Sequence, residues 1–248
     1  MQMSVLLAGY IAAVFDVQDA FLYWNFFLDH TEDSHPRAYY YPGSGSMAIA
    51  YPKASSSQHP IILDYRIIRP GSVVPAVYRR FMHPQRVALK QTSPAGPNPS
   101  LPRLYPPVFF HNLRTGQPGI PLSAAFNGSA LQEMANLDQI VRISDKQFVV
   151  FEVDWPGYDV GFEKQLNLKG QQSGPTMRWA IERALDVANA FFDKYNGRPS
   201  TLAAWTLGYG NNPYVITRER VLVIGLLHVS AGKWRPILQL DNIIVSPH

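Results

Sequence analysis

The clearest periodic pattern in the chain lies between residues 175 and 195. Apolar side chains recur there at spacings of three and four, which is the period of an amphipathic helix with a broad buried face. The residues of this face are Ala180, Ala184, Val187, Ala188, Phe191 and Tyr195. Pro175 suits the first turn of such a helix, and Gly197 suits its end. The pattern therefore predicts a long helix that other elements must cover.

Strand-like runs lie on both sides of this helix. Residues 147–155 and 160–168 predict a hairpin, and residues 221–229 and 234–240 predict a second one. The order strand–strand–helix–strand–strand, with short links inside each hairpin, is typical of an antiparallel sheet with a helix on one face. The predicted fold class is α+β, an antiparallel sheet packed by one long amphipathic helix.

The remaining segments are less regular. Residues 1–60 are expected to form an N-terminal apolar segment followed by a loop. Residues 65–121 are expected to form a basic, Pro-rich irregular strap, because proline removes a backbone donor and fixes φ. The strand–strand–helix–strand–strand core occupies residues 141–245, and the whole chain, 1–248, is predicted to be a single domain.

Composition and charge add two constraints. With 46% hydrophobic and 16% charged residues the chain is of the folded class, and the absence of cysteine excludes a disulfide framework, a thiolate nucleophile and a cysteine zinc site. Residues 1–64 carry six acidic and two basic residues, whereas residues 65–120 carry eight basic residues and no acidic one. These segments either face each other within the fold or leave an anion-binding surface.

Two histidines are the candidates for catalysis. His228 lies in an otherwise apolar run, where it could reach Asp241 or Glu152, and a histidine beside an acid can serve as a general base. His111 follows the apolar run 108–110 and is the second candidate. The alternative for both is a histidine whose nitrogens are satisfied by hydrogen bonds inside the fold. The sequence contains no recognised nucleophile motif.

Aromatic and basic residues are the candidates for ligand binding. The turn at 155–158 could present its two aromatic rings as a platform, unless the tryptophan packs on the helix instead. The ligand-binding candidates are Trp155, Tyr158, Trp234, Arg114, Arg79 and Arg80. The acidic loop around His30 and His35 matches no metal motif, so no metal and no cofactor are expected.

Three short motifs lie between residues 148 and 240. They are a strand that ends in Trp-Pro-Gly-Tyr, a helix that starts near a Gly-Pro-Ser/Thr turn, and a strand–turn–Trp hairpin near the C-terminus. The residues that form them are Trp155, Pro156, Gly157, Tyr158, Gly174, Pro175, Thr176, 222–228, Ser230, Gly232, Lys233 and Trp234. With these motifs, residues 148–240 resemble a group of uncharacterised proteins of mushroom-forming fungi. The resemblance implies a lineage and an intracellular setting, and it implies no activity.

Together these features favour a soluble binding or assembly module, cytoplasmic or nuclear, that holds a protein partner or copies of itself. The absence of a recognised catalytic motif and of a convincing signal peptide or membrane span motivates this interpretation. One alternative is a small-molecule enzyme with His228 or His111 as its base. The other is single-stranded nucleic-acid binding through residues 65–120, which is the least favoured because the basic and aromatic residues there follow no known module.

Overall fold

The structure is a computed structural model, and its fold is α+β. The part of the chain that it describes comprises residues 8–15, 19–20, 23, 37–40, 47–51, 61–76, 105–126, 128–158, 161–169, 174–210, 214–230 and 232–245. The α-helices are α1 (Tyr10–Val14), α2 (Gly128–Gln132) and α3 (Met177–Tyr195). Short 3-10 helices span Leu122–Phe126, Ala203–Trp205 and Arg218–Arg220.

Nine strands form two sheets in the described part of the chain. The strands are β1 (Arg37–Tyr40), β2 (Met47–Tyr51), β3 (Ile61–Tyr65), β4 (Val108–Phe109), β5 (Ile120–Pro121), β6 (Phe148–Val153), β7 (Phe162–Asn167), β8 (Val221–Ser230) and β9 (Lys233–Leu240). The larger sheet has the order β4-β8-β9-β6-β7, and β5 also pairs with β8. The smaller sheet has the order β1-β2-β3.

The two hairpins lie at the predicted places, with α3 between them, but the sheet that they form is mixed. Strands β6 and β7 are antiparallel, as are β8 and β9, whereas β9 runs parallel to β6. It follows that β7 and β8 point the same way, and α3 is the helical crossover that a parallel arrangement requires. The prediction of an antiparallel sheet is therefore wrong, because the helix between the two hairpins carries the chain back so that β9 pairs parallel with β6.

Part of the predicted strap belongs to the larger sheet. Val108 and Phe109 pair with β8, as do Ile120 and Pro121 farther along the same strand. A side chain at Gly225 would overlap with the backbone of β4, so glycine allows this close pairing. The prediction of an irregular strap is wrong for these residues. The most Pro-rich part, 77–104, lies outside the described residues.

The region expected to be a loop before residue 60 contains regular structure. Strands β1 and β2 lie in it, and each pairs antiparallel with its neighbour in the β1-β2-β3 sheet. The Pro, Gly and Ser residues that flank these strands predicted a loop. The strands between them escape prediction because they are only four and five residues long. Short strands of this kind give little periodic signal.

Hydrophobic clusters lie on both faces of the larger sheet. Helix α3 covers one face with its apolar side, and the Oγ1 of Thr176 accepts the first capping hydrogen bond, from the Trp179 N–H at 3.2 Å. On the other face, helix α1 belongs to the same hydrophobic cluster as Leu222, Ile224 and Ile237. Among the helices of the described residues, none is long and apolar enough to cross a membrane.

Asp64 lies in strand β3 and fixes helix α1 to that strand. Its carboxyl group is fully buried and accepts three backbone N–H bonds, from Tyr10 at 3.0 Å, Ile11 at 3.1 Å and Tyr65 at 2.7 Å. A side chain at Gly9 would overlap with this carboxylate, so glycine permits the approach. The first turn of the helix therefore obtains its capping acceptor from β3.

Candidate functional site

A groove of about 430 Å³ lies between the end of the predicted strap and the start of helix α3. Its polar lining side chains are His111, Asn136, Gln139 and Arg142. Its apolar and aromatic lining includes Tyr65, Val108, Phe109, Ile140 and Met177. We call this site the His111 groove. Its size and mixed lining are those of a small-ligand site.

Backbone hydrogen bonds position the two walls of the His111 groove. The Ala135 N–H donates to the His111 carbonyl at 2.8 Å, and the Met177 N–H donates to the Gln139 carbonyl at 2.8 Å. The segment 135–142 is therefore joined to the strap on one side and to helix α3 on the other. Asn136 has φ of 56°, a left-handed conformation that asparagine adopts more readily than most residues.

His111 is half-buried in the wall of the groove, beside the ring of Tyr65 at 6.2 Å between centroids. Its Nδ1 is buried and has no hydrogen-bond partner among the residues that the structure describes. The ring edge that can face the groove is therefore the one that carries Nε2. Burial lowers the pKa of His111, so its imidazole is neutral at neutral pH.

Arg142 supplies the positive charge of the groove. Its guanidinium forms an exposed ion pair with Asp145 at 3.2 Å and lies 5.4 Å from the centre of the Tyr105 ring. The Tyr105 hydroxyl donates to the other oxygen of Asp145 at 2.5 Å, so the tyrosine and the arginine hold the same carboxylate. No acidic residue is found in the described lining of the groove.

His228 does not lie in this groove, and the structure gives it a packing role. Its Nδ1 accepts the Tyr105 N–H at 2.8 Å, while its Nε2 is buried without a hydrogen-bond partner in the described part of the chain. The ring stacks on Trp234 at 4.7 Å. Burial lowers the pKa of His228 to about 4. Since neither nitrogen is accessible, this geometry contradicts the prediction of a catalytic base.

The predicted pairing of His228 with Asp241 is also wrong. His228 pairs with Trp234 at one end of the β8–β9 hairpin, whereas Asp241 follows the pair formed by Val221 and Leu240 at the other end. Seven residues of strand at about 3.3 Å each separate the two ends by roughly 23 Å. Asp241 instead contacts its neighbour Asn242, and Glu152, the other predicted partner, binds Arg235.

The three aromatic residues predicted to bind a ligand lie in the core. Trp155 is buried and donates from Nε1 to the Trp205 carbonyl at 2.9 Å, and Trp234 donates likewise to the Ile143 carbonyl at 2.9 Å. The buried Tyr158 hydroxyl accepts from the Leu207 N–H at 3.0 Å and donates to a carbonyl of the same region. The prediction of an aromatic platform is wrong, because these rings pack against the core that includes α3.

Some of the basic candidates lie among the residues that the structure describes, and others lie outside them. Arg114 is exposed, pairs with Glu133 at 3.1 Å and is not among the lining residues of the groove. Arg79 and Arg80 lie outside the described residues, as do most of the other basic residues of the strap. Single-strand binding through residues 65–120 stays a prediction.

Sequence reasoning missed most of the His111 groove. Four of its lining residues belong to no sequence motif: Asn136, Gln139, Arg142 and Met177. Among them, only Asn136 is of a residue type that indicates local structure, because asparagine suits a left-handed turn. The described residues contain no group of three or more histidine, cysteine, aspartate or glutamate side chains that could hold a metal ion.

Comparisons with known proteins do not assign the chain to a family. Neither a protein-family model, nor a curated protein, nor a solved structure matches it. The resemblance to fungal proteins and the intracellular setting that it implies therefore stay predictions. Any functional conclusion has to come from the geometry of the chain itself.

Proposed function

We propose that this chain is a binding module whose His111 groove holds an apolar ligand that carries a carboxylate or a similar anionic acceptor. The composition of the groove wall carries this proposal. His111 and Arg142 both line the groove, and its described lining contains no acidic residue. Aromatic and apolar side chains form most of the remaining wall, as is usual where a small organic ligand binds.

The state of His111 supports a hydrogen bond to an acceptor. Its pKa is lowered by burial, so the ring is neutral at neutral pH and carries one proton. Buried N–H groups without an acceptor are rare in proteins, and Nδ1 is the buried nitrogen without a partner. We therefore place the proton on Nε2, where it can donate to a ligand oxygen.

Arg142 makes the groove prefer an anion to a neutral ligand. Because its guanidinium is exposed and already paired with Asp145, the expected preference for an anion is small.

A pair of matched probes tests the proposal. The anionic probe is 4-phenylbutyrate, whose ring fits the apolar wall, and the neutral probe is 4-phenyl-1-butanol. Isothermal titration calorimetry, supported by saturation-transfer NMR, gives the affinity of the full chain for each. We expect the acid to bind more tightly than the alcohol, and this preference to fall as salt is added.

Three variants locate the binding. Arg142→Gln removes the charge and should abolish the preference for the acid, while Arg114→Gln removes an equally exposed arginine outside the groove lining and should change nothing. His111→Phe keeps a ring beside Tyr65 and should weaken binding of the acid. Equal affinities for the two probes, or equal effects of the two arginine variants, would contradict the proposal.

The second candidate is a small-molecule enzyme with His111 as general base. The lowered pKa favours it, because a neutral imidazole is ready to accept a proton. The described lining, however, contains no acid that could orient the ring. Turnover of a substrate that His111→Gln abolishes, with a rate that depends on a group of lowered pKa, would establish the enzyme. Turnover that survives this substitution would exclude His111 as its base.

A further inference from the structure

Tyr105 connects the core to the charged end of the His111 groove. Its backbone N–H donates to His228 Nδ1 at 2.8 Å, and its ring centre lies 5.2 Å from that of His228. The ring of Trp234 is nearly parallel to it, at 15° and 6.4 Å between centres. His228 and Trp234 are both buried, so the Tyr105 ring is fixed in position by the core.

The hydroxyl end of Tyr105 holds a charged pair. It donates to one oxygen of Asp145 at 2.5 Å, while the guanidinium of Arg142 lies over the ring and binds the other oxygen at 3.2 Å. Burial, and then Asp145, raise the pKa of Tyr105, so the hydroxyl stays protonated at neutral pH and remains a donor. Between the two charged residues, the Ile143 carbonyl accepts from Trp234 Nε1 at 2.9 Å. The pair is therefore attached to the core at two points.

Arg142 is the member of this group that lines the groove. Tyr105 and Asp145 are not among the lining residues, and the described lining contains no other side chain that is charged at neutral pH. A carboxylate bound in the groove therefore needs the guanidinium that Asp145 already holds. The existing pair is exposed on both sides, and exposed pairs are weak enough to exchange partners. An Asp145 carboxylate that has lost Arg142 still has the Tyr105 hydroxyl as a donor.

We infer that Asp145 determines how strongly the His111 groove prefers an anion, because its carboxylate and that of the ligand compete for the Arg142 guanidinium. Tyr105 is the positioning residue that keeps this competitor in place. The inference rests on the proposed binding of an anionic ligand in the groove. Specificity is a difference between two affinities, and this competition lowers only the affinity for the anion. A neutral ligand should be insensitive to Asp145.

Asp145→Asn tests this inference in the full chain. The amide oxygen can still accept from the Tyr105 hydroxyl, but the competing charge is removed. Calorimetric titrations with 4-phenylbutyrate and 4-phenyl-1-butanol should show a higher ratio of acid to alcohol affinity than in the wild type, by a few-fold at most. The affinity for the alcohol should not change. The increase should be absent when Arg142→Gln is added, because no guanidinium is then left to compete for.

Tyr105→Phe tests the positioning role, because it keeps the ring and the backbone N–H and removes only the hydroxyl that holds Asp145. It should raise the same ratio by less than Asp145→Asn does. Added to Asp145→Asn it should have no further effect, since the competitor is already gone. Circular dichroism checks that each variant keeps its fold. An equal effect of Tyr105→Phe with and without Asp145→Asn would contradict the positioning role.

Asp186→Asn is the matched control. Asp186 forms an ion pair with Arg183 at 2.8 Å, with the same spacing of three residues, and neither residue lines the groove. The control changes the net charge by the same amount and should leave both affinities unchanged. An increase of the ratio equal to that of Asp145→Asn would overturn the inference, because the effect would then be one of total charge.

Two outcomes separate this inference from the function on which it rests. If the wild type prefers the acid through Arg142 but Asp145→Asn leaves that preference unchanged or lower, only the inference about Asp145 is overturned. The guanidinium would then bind the ligand and Asp145 together. If the wild type binds both probes equally, the proposed function fails, and this inference fails with it.

Discussion

Replacing Asp64 by asparagine tests how a buried carboxylate fixes helix α1. Burial raises the pKa of Asp64 to about 8, against the opposing effect of the three N–H groups that it accepts from Ile11, Tyr65 and Tyr10. Between about pH 4 and pH 8 the folded chain therefore keeps a proton on Asp64 that the unfolded chain has released. By linkage, the free energy of unfolding must fall as pH rises through this window.

The size of this pH effect follows from the raised pKa. With a folded pKa of about 8 and an ordinary value near 4, raising the pH from about 6 to about 8 should remove on the order of 2 kcal/mol of stability, at about 1.4 kcal/mol per pKa unit. Asp64→Asn cannot titrate. It keeps one oxygen for Tyr10 and Tyr65 but leaves the Ile11 N–H without an acceptor, at a cost of about 1–3 kcal/mol.

The assay is urea unfolding followed by tryptophan fluorescence, for the wild type and Asp64→Asn, from mildly acidic to mildly alkaline pH. All other titrating groups are shared, so the difference between the two curves isolates Asp64. We expect the wild type to be more stable at low pH and the difference to shrink as pH rises. Asp64→Ala, which leaves all three N–H groups without an acceptor, should be less stable than Asp64→Asn throughout.

One result would refute this reasoning. If the wild type gains stability over Asp64→Asn as pH rises, the carboxylate is ionised in the folded chain. The three backbone donors at the start of helix α1 would then outweigh the cost of burial. The reasoning would also be refuted if the difference in the free energy of unfolding between the wild type and Asp64→Asn stayed constant with pH. Asp64 would then not change its protonation in this range.

Two further predictions concern other buried polar groups. His228→Phe keeps a stacking ring but leaves the Tyr105 N–H without its acceptor, so unfolding experiments at neutral pH should show a loss of about 1–3 kcal/mol. Because burial lowers the pKa of His228 to about 4, the wild type should lose stability relative to this variant as pH falls below about 6.5. Arg235→Met removes the cation that joins Glu152 at 2.6 Å and Asp154 at 3.5 Å, whereas Glu152 keeps Lys233 at 3.7 Å. The variant should therefore cost less than the roughly 3–5 kcal/mol of a buried charge left without any partner. Adding Glu152→Gln should recover part of this loss, and no recovery would contradict the role of Arg235 as the shared partner.

The sequence predicted those elements whose pattern is long and local. Helix α3 and both hairpins have enough turns or alternations for the period to be visible. Strand direction across the sheet depends on how the hairpins are placed relative to each other, and no local pattern records that placement. For this reason the parallel pairing of Val150 with Lys233 could not be predicted. Strands β4 and β5, of two residues each, are defined only by their partner β8.

The candidate site was predicted only in part, because side-chain chemistry does not reveal burial. Trp155 and His228 have side chains that can bind or react, yet the fold uses their polar atoms internally. His111 has the same kind of sequence context as His228, and only the structure distinguishes a groove from a core. Nothing in the sequence distinguishes Arg142, since an isolated arginine in an irregular segment carries no motif.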